Sequence, residues 1–369
     1  MKAIIIVFAF FGILSCQYEK NTALHTIEID ADKTHELYLS SLFDKQGLIK
    51  LETADSSLID GNYQLIKTRD YLLFYNWQKV ILFNCSGDYL RQIGKIGHGP
   101  AEYQLINAVT IDTISETIYL STYSAILRFD YNGKLIKSLP IQRNNVNVDI
   151  IYLNFQNESL WALYRETGIR LSDGKFLNYT RLFKYNSDLQ IIDSTQIIKN
   201  VILSNNLVDK INHSADFSFL KTDTFFYYPI ICHEKFLRDT LYKFEKSKLI
   251  PILRLDFSKR LALENKLLLN LEATNIEISK IYRTSKYVFA NYFYNNNHYY
   301  LCHDLENKIT YNMINGFIDD LYGTGRVVLR PVDLKNGIFY FFKEGYEIEG
   351  KIDNISESSN PVVFLIKFK

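Results

Sequence analysis

The apolar and polar positions of this chain spell one unit several times over. Residues 71–75 (YLLFY) form an aromatic and apolar run of strand length, followed by 80–83 (VILF), a turn at Ser86, Gly87 and Asp88, and a third run at 89–93 (YLRQI). Short runs rich in aromatic and β-branched residues, bounded by Gly, Asn, Asp and Ser, are the signature of strands joined by tight turns. The unit returns at 117–121 (TIYLS), 126–129 (ILRF), the turn at Asn132 and Gly133, and 134–139 (KLIKSL). The interval from Gly87 to Gly133 suits one propeller blade, roughly 40–50 residues. Looser copies occupy 159–164 with 182–185 and 189–192, then 224–228 with 239–244 and 249–255. The last two lie at 287–291 with 298–302 and 308–311, and at 337–342 with 362–368.

A sheet that is apolar on both faces cannot stand alone, and stacking such sheets radially buries those faces and shelters most strand edges. The pattern therefore predicts an all-β chain, a six-bladed β-propeller of four-stranded antiparallel blades. A two-sheet sandwich or two smaller β domains is the alternative. Closing the ring requires an amino-terminal strand beside the carboxy-terminal one, and either 26–30 (TIEID) or 48–52 (LIKLE) is expected to supply it. Residues 258–279 carry helical spacing and are expected to form a small helical insertion.

A different pattern precedes the first unit. Lys2 is followed by an uninterrupted apolar run over 3–14, then Ser15 and Cys16, the order of a signal peptide. The run falls short of the ~20 residues that cross a bilayer as a helix, and no later stretch is longer, so no transmembrane helix is predicted. Ile13, Leu14, Ser15 and Cys16 resemble the bacterial lipobox. That resemblance implies a signal peptide over 1–15 and acylation of Cys16 as the first mature residue. Several acyl chains, at ~0.8 kcal/mol per buried methylene, make such an anchor durable. An ordinary secretory signal whose Cys happens to follow Ser is the alternative. Residues 16–26 read as a polar tether and 27–369 as the propeller.

Composition adds exclusions. Lys and Arg number 42 against 41 Asp and Glu, and no basic cluster interleaves with aromatics, so nucleic acid is not an expected partner. The 27 Tyr and 25 Phe against six Pro reinforce the β assignment, as blade core with a minority on a carbohydrate-stacking face. Cys85, Cys232 and Cys302 are far apart without a CxxC pair, and no disulfide is expected.

Gly94, Gly97, Gly99, Pro100, Glu102 and Tyr103 form a Gly-x-x-Gly-x-Gly-Pro-x-Glu-Tyr stretch that resembles the six-bladed β-propeller lipoproteins widespread in Bacteroidota. Weaker likeness runs from Leu42 to Thr53, over 239–242 and at Asn360, Pro361 and Val362, so it spans nearly the whole mature chain. His98 and Ala101 depart from the family pattern. The resemblance implies an outer-membrane, lipid-anchored propeller, on either the periplasmic or the surface face. Glycine-rich turns can cradle phosphate, but phosphate loops lead into a helix, whereas this one leads from strand to strand. A structural turn with Glu102 satisfying the loop amides is the first reading; a ligand site of His98, Glu102 and Tyr103 is the second.

No GxSxG, HExxH or P-loop is present. His298, Cys302, His303 and Asp304 are the densest metal-capable group, but strand alternation splits them between faces, so no metal site and no cofactor are expected. Asp216, Asp319 and Asp320 are candidates for a channel-mouth carboxylate set. The functional expectation is a non-catalytic ligand-binding or scaffold propeller, accessory to glycan or peptide uptake or partnered with an outer-membrane transporter. A hydrolase or lyase assembled from several blades is the alternative.

Overall fold

The computed structural model describes residues 24–60, 62–143, 146–202, 216–220, 223–227, 239–257 and 276–369. It is a six-bladed propeller whose blades follow one another along the chain, each with its first strand innermost. Blade one is Gln64–Lys67, Tyr71–Tyr75, Val80–Asn84 and Tyr89–Gln92; blade two is Ile106–Asp112, Thr117–Thr122, Ala125–Asp130 and Leu135–Pro140. Blade three runs over Asn147–Gln156, Ser159–Arg170, Phe176–Tyr185 and Ile191–Ile202. Blade four holds Asp216–Leu220, Asp223–Tyr227, Thr240–Glu245 and Lys248–Asp256, and blade five Glu277–Arg283, Tyr287–Tyr294, Asn297–Asp304 and Thr310–Ile314. Blade six is built from both ends of the chain: Arg330–Asp333, Ile338–Lys343, Val362–Phe368 and, outermost, Phe43–Lys50.

Strand alternation explains why the blades stack. In blade one, Leu73 and Leu82 turn towards blade two and join a cluster with Ile111 and Ile118. Their neighbours Leu72, Phe74, Ile81 and Phe83 point the other way, into a cluster with Tyr340 and Val363 of blade six. The sequence runs YLLFY and VILF are apolar at every position because both faces of the sheet are interior.

Ring closure rests on Phe43–Lys50 pairing antiparallel with Val362–Phe368, in a register that sets Phe43 opposite Phe368. The two rings stack at 4.5 Å, and Phe43 is fully buried. The closing strand carries a bulge between Lys45 and Gly47, and the Tyr322 hydroxyl fills it, its one proton shared between the carbonyls of Gly47 and Leu365, each 3.0 Å away. Asn360, 2% exposed, locks the following segment: its Nδ2 donates to the Glu52 and Ser57 carbonyls, and its Oδ1 accepts from the Ile59 amide. Every bonding position of that amide but one lone pair is thus used inside the core.

Three sequence expectations shift. The closing strand overlaps 48–52 only through Lys50 and begins at Phe43, because the whole carboxy-terminal strand must be covered. The other candidate, around Thr26, lies elsewhere: His25–Glu28 pairs parallel with Lys248–Asp256, making blade four five-stranded, with Ile27 and Ile29 buried. Sheet pairing therefore starts inside the stretch expected to be tether. Residues 258–275 of the expected helical insertion lie outside the described residues, and Glu277–Arg283 is the inner strand of blade five rather than helix. Cys85 and Cys302 are free thiols, and Cys232 is outside the described residues. No helix among the described residues is long and apolar enough to cross a membrane.

The turn glycines that marked the repeat are seam residues. Gly87, at φ +97°, lies against the end of the closing strand, where a Cβ would sit 2.0 Å from the Lys50 carbonyl oxygen; its own carbonyl accepts from the Glu52 amide at 2.8 Å. The equivalent turn of blade two meets blade one the same way, Arg91 donating to the Asn132 carbonyl. Gly87→Ala is expected to lose roughly 2–4 kcal/mol in urea unfolding through strain and clash. Gly174→Ala, at φ +82° in open space, is expected to lose only about 1 kcal/mol. Asn360→Ala strands two carbonyls and an amide in the core and is expected to cost roughly 2–4 kcal/mol; an unfolding midpoint equal to that of the parent chain would contradict this reading.

Candidate functional site

The glycine-rich loop links blade one to blade two. Lys95–Ile96 pairs parallel with Glu102–Tyr103, which folds the chain between them into a tight lobe. The Glu102 carboxylate turns back into that lobe, accepting from the Gly99 amide at 2.8 Å and pairing with Lys95 Nζ at 3.1 Å. It passes so close to Gly97 that a Cβ there would sit 2.0 Å from Oε2, which is why this position has no side chain. Tyr103 is 1% exposed, its hydroxyl donating to the Ile93 carbonyl; burial pushes its pKa up to about 12. His98 is exposed, with Nδ1 3.0 Å from Gln104 Nε2. Glu102 thus satisfies a loop amide, and none of the three residues borders the cavity at the centre of the ring.

That cavity, about 660 Å3, lies within the range of small-molecule sites. Side chains of five blades line it. Carboxamides come from blade one (Asn62, Gln64), blade two (Asn107), blade three (Asn154) and blade five (Asn291). Tyrosines 75, 152 and 300 add hydroxyls, and Lys280 and Arg330 bring positive charge. Arg330 Nη1 donates to the Tyr63 carbonyl at 2.9 Å. Burial raises the Tyr300 pKa against the opposing pull of Arg330, so its hydroxyl stays protonated at neutral pH. The described lining holds no Asp, Glu, His or Cys.

One lining group is unsatisfied. Asn107 Nδ2 is out of contact with solvent and has no hydrogen-bond partner among the described residues. Buried amides are nearly always bonded, so such a group marks strain or a place for a partner. Gln64 Oε1 accepts from the Tyr75 hydroxyl at 2.8 Å, which orients its NH2 group as a donor. Sequence reading missed this set because single Asn and Gln residues contributed by different blades have no local signature. Only the ring brings them together.

The remaining candidates do not converge there. Asp319 is buried and bonded to Thr324 Oγ1, and Asp320 caps Ser40; the Asp216 side chain is outside the described residues. Cys302 is fully buried, its pKa driven up by desolvation, and His298 is exposed against Phe293. His303 Nδ1 is 2.8 Å from Thr310 Oγ1, and burial, then nearby His25, lowers its pKa. Among the described residues no three His, Cys, Asp or Glu side chains gather as a metal site would need.

The Gly99 amide and then Lys95 hold the Glu102 pKa below the usual glutamate value. A depressed carboxyl pKa stabilises above the unfolded value and loses that contribution as pH falls through the folded one. The Gly99 amide resonance is therefore expected to stay constant above pH ~4.3 and to shift only below it, and Glu102→Ala is expected to abolish that titration while leaving the far-ultraviolet circular dichroism unchanged.

Comparison with known proteins agrees with this architecture. No curated protein matches the chain. Among solved structures, a Bacteroides fragilis protein described as exported superposes with a TM-score of 0.60 at 16% identity, over 94% of this chain and 99% of that one. The Neurospora crassa Pan2 WD40 domain gives 0.41 at 11% identity, over 82% and 74%, and a protein of unknown function from Bacteroides caccae 0.39 at 10%, over 82% and 94%. A family profile matches residues 24–367, from before the fifth strand of blade four to the end of the closing pair, and the chain belongs to that family, the domain of unknown function DUF4934.

Proposed function

We propose that this chain is a lipid-anchored protein of the cell envelope whose propeller is a non-catalytic binding module, with the central cavity as its ligand site. The carrying observation is that lining: carboxamides and tyrosine hydroxyls with Lys280 and Arg330, without a carboxylate, histidine or cysteine among the described lining residues. General bases are most often histidine, followed by the carboxylates, and neither type is among the described lining residues. Groups that both donate and accept hydrogen bonds hold a polar ligand without transforming it. The anchor is supported by the order of Lys2, the apolar run, Ser15 and Cys16, and by the exported description of the Bacteroides fragilis protein that shares the fold. Uptake of a glycan or a peptide across the outer membrane is the setting this reading favours.

Two measurements test it. Cys16→Ser is expected to stop incorporation of labelled palmitate and move the chain from the membrane to the soluble fraction; a variant that stays in the membrane fraction would sink the anchor. Incubation of the purified protein with oligosaccharide and peptide pools is expected to return every component unchanged by mass spectrometry, and release of a product would make it an enzyme.

A further inference from the structure

We infer that residues 25–37 form a pH-sensitive strap, clasped between blades four and five by uncharged histidines and released in acid. The inference is independent of the cavity and of its ligand.

The grip comes first. Ile27, Ile29 and Ala31 sink into one apolar cluster with Leu253 and Leu255 of blade four and Tyr292 and Leu301 of blade five. Backbone bonds fasten the segment on both sides: the Ile29 amide donates to the Asp256 carbonyl at 2.8 Å, and the His35 amide to the Asn312 carbonyl at 2.7 Å. Three of the chain's seven histidines, His25, His35 and His303, meet along this strap. Its contacts are therefore built from the side chain that changes charge between pH 5 and 8.

Two of those contacts require a neutral ring. The Asn312 amide donates to His35 Nδ1 at 3.2 Å, while Asn312 Nδ2 donates to the Lys33 carbonyl. An imidazolium has no lone pair, so a proton on that Nδ1 replaces the bond by two N–H groups pointed at each other. His303, 5% exposed, has Nδ1 beside Thr310 Oγ1, and its Nε2 has neither solvent nor a hydrogen-bond partner among the described residues. The His25 ring of the strap stands edge-on against it, 6.0 Å between centroids. A charge on His303 would thus be buried with an unbonded N–H, which is costly until the strap lifts and admits water.

The surrounding charges act in the same sense. Burial and then His25 oppose protonation of His303, and Asp304 on its own strand favours it more weakly. Around His35 the strap carries Lys33 and Glu36, the latter paired with Arg326, and blade five presents the Tyr311 ring. Because the closed strap lowers the His303 pKa, its hold is complete above the unfolded imidazole value of ~6.5 and is lost as pH falls through the closed-state value. On the anchor proposed above, this segment ends the tether from Cys16, and freeing it through Leu37 adds twelve Cα–Cα steps, roughly 40 Å of reach.

Hydrogen exchange read by mass spectrometry on the purified full-length protein in detergent tests the clasp, comparing pH 7.5 with pH 5.5 after correction for intrinsic exchange rates. Peptides covering 25–37 are expected to open roughly threefold to tenfold more in acid, the range one imidazole gives over that interval, while a peptide covering 71–84 of blade one stays constant. His303→Asn, which keeps a partner for Thr310, and His35→Asn, which keeps an acceptor for the Asn312 amide, should each flatten the response. Flattening in one of them alone upholds the clasp and assigns it to that ring. Equal protection of 25–37 at both pH values overturns the inference, as does an acid loss shared equally by 71–84, or an acid response of parental size in both variants.

Discussion

The pairing of Phe43–Lys50 with Val362–Phe368 is the contact on which the rest of the molecule depends. Each blade buries its two faces against two different neighbours, so the first and last blades in the chain have a partner only if the ring shuts. An open ring would expose the Leu72, Phe74, Ile81 and Phe83 face of blade one, which packs on Tyr340 and Val363. The closing strand is accordingly over-determined. Phe43 stacks on Phe368, Tyr322 fills its bulge, and Asn360 bonds the chain that leaves it. Aromatic pairs of this kind contribute ~0.5–1.5 kcal/mol beyond their area, and the Asn360 bonds resist loosening because breaking them strands polar groups in a dry core.

The same constraint creates the cavity. Once six inner strands are held in a ring, their inward edges and side chains face a space no blade can fill alone. Side chains there are released from the packing demand that makes the blade faces apolar throughout. Polar residues accordingly appear on inner strands, at Gln64, Asn107, Asn154 and Lys280. A ring thus separates two duties. Blade faces provide cohesion, and the central lining is free to carry chemistry.

The glycine-rich loop shows how a conspicuous motif can serve cohesion. Gly97 admits the Glu102 carboxylate, that carboxylate holds the Gly99 amide and Lys95, and Tyr103 roots the lobe in the core between blades one and two. The motif was legible because all its parts are consecutive in the chain. The cavity amides were not, because their partners lie one or more blades away.

Read alone, the sequence determined the all-β class, the repeat and the number of blades, since apolar runs of strand length and turn glycines at Gly87 and Gly133 are local consequences of pleated strands and tight turns. It also supplied the structural role of Glu102 and the expectation of an anchor at Cys16. Tertiary structure alone decided that the closing strand begins at Phe43, that His25–Glu28 adds to blade four, and that Gln64, Asn107 and Asn154 line one cavity. The physical reason is distance along the chain. Strands and turns are set by neighbours a few residues apart, whereas pairing partners and cavity walls are chosen by which arrangement buries the most apolar surface across the closed ring.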